Sequence, residues 1–149
     1  MKEYEGQLGD HLDRSSRVGA VCDYFGPTIL TTDPDHQPME NNKAVVKLLG
    51  GSTDTKKDLA LMASPALQVS KDAAPFFIVH GSEDNVVPLR HSQLLAEKLK
   101  AAGVDVTLEI IPGSSHGGPQ FLTADRQRQI VEFFKKHLNS KPLAGTPPQ

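Results

Sequence analysis

The sequence predicts an α/β fold of three layers, in which a small, mostly parallel sheet of about three strands has helices on both faces. Phe76–Val79 is a short, unbroken apolar run between Pro75 and Gly81, which is typical of a strand buried on both faces. Another apolar run precedes it, an alternating run follows it, and segments of helical periodicity separate the three. Strands separated by helices are joined by crossovers and therefore run parallel.

Composition limits the classes of protein to which the chain can belong. Its 149 residues, 38% of them apolar, suffice for one domain with a modest core. A net charge of −2 gives no case for nucleic acid or an anionic membrane surface, and no apolar run approaches the roughly 20 residues that span a bilayer. The N-terminal residues lack the apolar core of a signal peptide, so no location is predicted. The single Cys22 excludes an intramolecular disulfide, and the histidines form no ligand pattern, so neither metal nor cofactor is predicted.

The first part of the chain is predicted to give one strand and two short helices. Residues 1–16 are polar and are expected to form an arm outside the domain, which we place at residues 17–138. Val18–Phe25 is small, apolar and β-branched, as buried strands are, and Gly26-Pro27 is a strong turn signal. Two helices that end at glycine or before proline are predicted at Lys43–Leu49 and Asp54–Met62.

After the central strand the chain is predicted to add a helix, a strand and a second helix. Leu89–Ala102 has leucines at helical spacing, and Gly103 stands where a left-handed C-terminal cap is expected. Val104–Ile111 alternates apolar and polar residues, which predicts a strand with one partly wet face near a sheet edge. Residues 123–138 are amphipathic with a helical period, and the proline-containing tail at 139–149 is predicted to be disordered.

A carboxylate and a histidine follow two neighbouring predicted strands. Asp84 lies in the polar loop after the central strand, and His116 lies in the glycine-rich loop after the next one. Because open α/β sheets hold their chemistry at the carboxyl ends of the strands, we expect the two side chains to lie within hydrogen-bonding reach. In such a pair the aspartate fixes the imidazole tautomer, and the other ring nitrogen takes a proton from a nucleophile.

Each of these residues also has a plainer interpretation. A carboxylate at Asp84 is also found as a cap for a helix such as the one that begins near Pro88. A histidine such as His116 is also found as a solvated residue of a loop. Glu83 adjoins Asp84 and is easily confused with it, while His80 follows a buried strand and is predicted to make structural hydrogen bonds.

Three segments resemble the C-terminal half of the α/β-hydrolases, especially the esterase and prolyl-oligopeptidase-like groups. The matching residues are Arg17–Thr28, Val79–Pro88 and Pro112–Gly117. The resemblance covers roughly residues 5–138. It implies a partial α/β-hydrolase fold, a small-molecule ester as substrate and no cofactor. It also implies that Asp84 is the acid and His116 the base of a Ser-Asp-His triad.

The resemblance does not extend to the family's nucleophile. The family's nucleophile elbow, Gly-x-Ser-x-Gly, is expected to be absent from this chain, together with the first strands that supply part of the oxyanion hole. Ser82, Ser114 and Ser115 are poor substitutes, because neighbouring residues on a loop rarely point at each other. We therefore expect weak or absent activity unless another serine or a partner chain supplies the missing groups.

Two other classes of function stay open. A non-catalytic remnant of the fold would bind a partner across the outer edge of the Val18–Phe25 strand, and there we expect a homodimer or a partner chain. A flavodoxin-like or nucleotide-binding domain has less support, because neither GxGxxG nor GxxxxGK[ST] occurs.

Overall fold

The structure is a computed structural model that describes residues 9–31 and 42–138. Within them the strands are β1 (Val21–Tyr24), β2 (Phe76–Gly81) and β3 (Val106–Ile111), and the helices are α1 (Lys43–Leu49), α2 (Lys57–Met62), α3 (Arg90–Ala101) and α4 (Ala124–Leu138). Single 3₁₀ turns lie at Pro65–Leu67 and Pro119–Phe121. None of the helices in this part of the chain is long and apolar enough to cross a lipid bilayer. Half of the predicted arm, residues 1–8, and the predicted tail at 139–149 lie outside the described residues.

The three strands form one parallel sheet in the order β1-β2-β3, which confirms the predicted fold class. β2 is the central strand and is buried from Phe77 to Gly81. The register pairs Tyr24 with Val79 and Gly81 with Ile111. The loops that follow the three strands therefore leave the sheet side by side at one edge.

Different helices cover the two faces of the sheet, as predicted. On one face Ile78 packs with Leu95 and Leu99 of α3, and all three are at most 2% exposed. On the other face Phe77 packs with Phe133 of α4. The layers are therefore helix, sheet and helix.

A third apolar cluster joins the two short helices to the loops at the carboxyl edge. It contains Leu30, Val45, Leu49, Ala60 and Val87. α1 begins after Asn42, whose side chain accepts the N–H groups of the first helical turn, and ends at Gly50 in the left-handed conformation (φ 70°). These helices form a wall beside the loops that carry Asp84 and His116.

Two predicted boundaries differ from the structure by three residues, and the other strand and helix ends differ by at most two. β1 begins at Val21 rather than Val18, because pairing with β2 starts where the Val21 N–H donates to the Pro75 carbonyl. Val18 is 62% exposed. α2 begins at Lys57 rather than Asp54, because the preceding Thr55 is held in a turn by hydrogen bonds with Ser52.

The face of β3 that was predicted to be wet is partly covered. Glu109 on that face accepts hydrogen bonds from Arg126 Nε at 3.0 Å and Nη2 at 2.5 Å. Arg126 is 8% exposed and also donates to the Gln120 carbonyl, so one guanidinium ties α4 to β3. Ile110 was predicted to point inward and is instead 39% exposed, because the cluster under α3 includes Val104, Val106 and Leu108 of that face but not Ile110.

Candidate active site

The structure brings Asp84 and His116 together at the carboxyl edge of the sheet. Asp84 lies in the loop after β2, and His116 lies in the loop after β3. His116 Nδ1 lies 2.8 Å from Asp84 Oδ2. This is the hydrogen bond that the sequence predicts between the two side chains.

The carboxylate of Asp84 is enclosed, with none of its side chain exposed. Its Oδ1 accepts the N–H groups of Val86 at 2.8 Å and Val87 at 2.9 Å. Burial raises the pKa of Asp84, but the hydrogen bonds from Val87, His116 and Val86 outweigh burial and hold the pKa below its usual value. Asp84 does not cap α3, because the N-cap of that helix is Leu89 and no side chain hydrogen-bonds there. The site therefore holds an ionised acceptor for an imidazole N–H.

His116 is partly open to solvent, with 32% of its side chain exposed. Because Asp84 accepts a hydrogen bond from Nδ1, the neutral ring carries its lone pair on Nε2. This is the tautomer in which Nε2 can accept a proton as a general base. The exposed part of the ring makes such a transfer possible without opening the fold.

The loop after β1 supplies a contact that the sequence analysis missed. The ring of Phe25 lies against His116, with centroids 4.4 Å apart, and against Phe121, at 5.1 Å. Phe25 has a φ of 46°, in the left-handed region, which costs a residue with a Cβ about 1–2 kcal/mol. The next turn is held to α3, since Thr28 donates its hydroxyl to the His91 carbonyl at 2.7 Å and its N–H to His91 Nδ1 at 3.1 Å. The only sequence signal was an aromatic residue just before a Gly-Pro turn.

The loop after β2, which carries Asp84 (the acid loop), and the loop after β3, which carries His116 (the histidine loop), are in direct backbone contact. A Cβ on Gly81 would lie 2.2 Å from the Ser114 carbonyl oxygen and 2.4 Å from that of Ser115. Three hydrogen bonds join the loops: Ser82 N–H to the Ile111 carbonyl (3.0 Å), Glu83 N–H to the Ser114 carbonyl (2.9 Å) and Gly113 N–H to Ser82 Oγ (2.8 Å). The close approach at Gly81 therefore sets the distance between Asp84 and His116.

The pattern Gly-x-Ser-x-Gly does occur in this chain, at Gly113–Gly117, so the expectation that it is absent is wrong. Its place in the fold is not that of a nucleophile elbow, which is a sharp turn between a strand and a helix. Here the pattern follows β3, and the residues after its serine, Ser115, form bends before the 3₁₀ turn at Pro119. Ser115 is exposed and immediately precedes His116. The segment therefore matches the sequence pattern of a nucleophile elbow but not its position between a strand and a helix.

Other reactive groups add little to the site. Cys22 is half-buried on β1, and burial followed by the charge of Asp23 raises the pKa of its thiol. Residues 9–31 and 42–138 contain no cluster of three or more His, Cys, Asp or Glu side chains that could hold a metal ion.

A cavity of about 550 Å³ opens beside His116. Its lining is mostly apolar: Tyr24, Phe25, Gly26, Pro27, Leu30, Asn42, Ala44, Val45, Leu48, Ala63, Pro65, Val86, Val87 and His116. Leu48 of α1 and Val86 of the acid loop are 70% and 48% exposed, although both are apolar. The wall formed by α1 and α2 thus gives the Asp84–His116 pair an apolar neighbour.

The sequence model of the BD-FAE family matches residues 1–99. The matched region includes Asp84 and ends before His116. It covers more than half of the chain.

Several solved structures and curated proteins described as esterases or ester hydrolases are similar to this chain. A truncated form of a carbohydrate esterase from gut microbiota is 30% identical, with a TM-score of 0.79 over 91% of this chain and 48% of that one. An acetyl ester-xyloside bifunctional hydrolase from Caldicellulosiruptor lactoaceticus is 26% identical, with a TM-score of 0.68 over 87% of this chain and 47% of that one. Esterase LipC from Mycobacterium tuberculosis is 38% identical over 56 residues, which are 37% of this chain and 14% of that protein. The chain thus spans less than half the length of each of these relatives.

Proposed function

Because the chain belongs to the BD-FAE family of esterase-like α/β-hydrolases, we propose that it hydrolyses a carboxylic ester with Asp84 as the acid and His116 as the base of a triad. The observation that carries the proposal is the 2.8 Å hydrogen bond between His116 Nδ1 and the enclosed carboxylate of Asp84. In this proposal the serine is not at a nucleophile elbow of this chain. It is supplied by another serine or by a second polypeptide segment.

In this mechanism His116 carries out the proton transfers, and Asp84 orients and stabilises its ring. His116 Nε2 takes the proton of the serine hydroxyl as the serine oxygen bonds to the ester carbonyl carbon. Asp84 stabilises the resulting imidazolium and keeps its orientation. His116 then gives that proton to the leaving alcohol. Water, activated by the same nitrogen, releases the acid from the acyl-serine.

The cavity beside His116 is the proposed binding site for the apolar part of the ester. The lining residues within 9–31 and 42–138 offer aromatic and aliphatic side chains next to the base, and none of these described residues is a lysine or arginine. An uncharged ester with a short acyl chain or an aromatic alcohol fits this lining better than an anionic substrate. Two similar proteins are described as acting on carbohydrate and acetyl esters, which supports a small acyl group.

Hydrolysis of a short-chain p-nitrophenyl ester by the purified chain tests the proposal. We expect a slow turnover that falls to the buffer rate in both His116→Ala and Asp84→Ala, because each variant removes one member of the pair. Loss of a triad member leaves only about 10³–10⁴-fold catalysis over water, so the parent rate itself is expected to be low. Equal turnover in parent and variants, or no turnover in any of them, would rule out ester hydrolysis by this pair in the isolated chain.

Self-association is the second proposed function, and the position of β1 favours it. Within the described residues β1 pairs only with β2. The Val21 and Phe25 N–H groups face β2, so the N–H of Cys22 between them points to the open edge. An open, mostly uncharged edge favours pairing with another chain, and a second copy is the proposed partner.

Light scattering at tens of micromolar checks the proposed dimer. We expect Cys22→Pro to give a monomer, because proline removes an outward donor without removing a bond to β2. Cys22→Ala keeps that donor and excludes a disulfide as the cause, so it should remain a dimer. A monomeric parent chain would contradict the proposal.

A further inference from the structure

We propose that His80 is a positioning residue for the acid–base pair, a second histidine that donates a hydrogen bond to the Asp84 carboxylate from inside the fold. The inference rests on the proposed function, because it takes Asp84 as the acid. It assigns a task to a side chain that the sequence analysis treats only as a structural hydrogen-bonder. The proposed effect on Asp84 depends on the N–H of the ring and not on the shape of the ring.

His80 lies near the end of β2 and is completely buried. Its Nε2 is 2.8 Å from the Val87 carbonyl oxygen and 3.3 Å from Asp84 Oδ2. Its Nδ1 is 2.7 Å from the hydroxyl of Ser92, a fully buried residue of α3. Both ring nitrogens therefore have partners, and one of them faces the acid.

The partners determine the tautomer. A carbonyl oxygen can only accept, so the proton of the neutral ring lies on Nε2, which faces the Val87 carbonyl. Nδ1 then carries the lone pair, and the Ser92 hydroxyl donates to it. The Nε2–H also faces Asp84 Oδ2, the same oxygen that accepts from His116. Asp84 Oδ2 thus accepts a hydrogen bond from His116 and lies 3.3 Å from His80 Nε2, whose shorter contact, at 2.8 Å, is with the Val87 carbonyl oxygen.

The same ring also holds the loop that carries the carboxylate. Val87 donates its N–H to Asp84 Oδ1 and accepts from His80 through its carbonyl. Ser92 of α3, His80, Asp84 and His116 therefore form one connected series, from a buried helix to a partly exposed base. Such fully satisfied buried networks fix side-chain positions.

Three titratable side chains of the described residues matter for His80. Asp84 and His116 lie on the two loops, and Asp23 lies on β1. Burial raises the pKa of Asp23, and the hydrogen bond from the Gly26 N–H opposes that effect. Asp84 is the carboxylate that His80 contacts directly, so its protonation reports on the proposed hydrogen bond.

The test measures the pH midpoint of Asp84 protonation by carbon NMR of its carboxyl group in the parent chain, His80→Gln and His80→Met. Glutamine and methionine have similar size, but only glutamine presents an N–H near the place of Nε2. We expect the midpoint to rise by roughly half a unit to one unit in His80→Met, because the ionised carboxylate loses a donor. In His80→Gln the midpoint is expected to stay within about 0.2 units of the parent value.

Ser92→Ala keeps the experiment decisive if methionine prevents folding, since it removes only the hydroxyl that orients the ring. An upward shift smaller than that expected for His80→Met would support the proposal. An unchanged midpoint in a folded His80→Met or Ser92→Ala chain would overturn it, as would equal shifts in His80→Gln and His80→Met. The midpoint of Asp84 protonation does not depend on turnover, so the contact between His80 and Asp84 can be tested even if the ester assay fails.

Discussion

Ester turnover is expected to rise by about 10³-fold or more when this chain is fused behind the part of the carbohydrate esterase that lies outside their common region. That region is 48% of the relative, and the backbones agree with a TM-score of 0.79, so a joined sheet is feasible at the edge of β1. The Asp84–His116 pair is already hydrogen-bonded, and it lacks a nucleophile and an oxyanion hole in the proposed mechanism. A positioned serine and its backbone donors supply most of the rate in such enzymes, which is why the expected gain is large.

Three matched controls, two variant fusions and one mixture, make the fusion informative. The fusion with His116→Ala, and the fusion with alanine in place of any Gly-x-Ser-x-Gly serine that the relative's part contributes, are each expected to return to the rate of the unfused chain. A mixture of the two unlinked halves is expected to gain less, because association costs translational and rotational entropy. A folded fusion that hydrolyses the ester equally well without His116 would contradict the proposed roles. Folding of each protein is checked by circular dichroism and size-exclusion chromatography.

The sequence was sufficient for the sheet and for the residues that follow its strands. An unbroken apolar run at Phe76–Val79 and a strict alternation at Val104–Ile111 are local patterns, and both strands formed where those patterns lie. Parallel strands place their carboxyl ends at one edge, so two loops distant in the chain could be predicted to meet. The Asp84–His116 contact needed only that rule and the order of the elements.

The sequence was insufficient wherever a residue's role depends on a neighbour from another part of the chain. Nothing local distinguishes Gly81 from an ordinary turn glycine, because the atoms that crowd it belong to the loop after β3. The tautomer of His80 is set by Val87 and by Ser92 of the next helix. Phe25 adopts a positive φ in a turn held by α3, whereas its own propensity would keep it extended. These contacts exist only once the loops have packed.

Gly81→Ala is expected to cost about 3 kcal/mol of unfolding free energy and to separate Asp84 from His116. Gly81 has no left-handed φ, so its requirement for glycine is one of space. An alanine methyl group would stand 2.2 Å from the Ser114 carbonyl oxygen, a backbone atom that cannot rotate away. The two loops would then move apart, and a shift of about 1 Å at a catalytic group can cost about 10²-fold in rate.

Gly103→Ala is the matched control, because its effect is conformational only. Gly103 has a φ of 74°, and an added Cβ would meet nothing within 4 Å, so the substitution costs about 1–2 kcal/mol without touching either loop. Urea unfolding measures the stability of both variants, and the His116 imidazole proton resonances report whether the bond to Asp84 persists. We expect that signature to be lost in Gly81→Ala and kept in Gly103→Ala. If Gly81→Ala retained both the imidazole signature and the parent stability, the backbone contact would not be what holds the pair together, and the position of His116 would have to be attributed to its packing against Phe25.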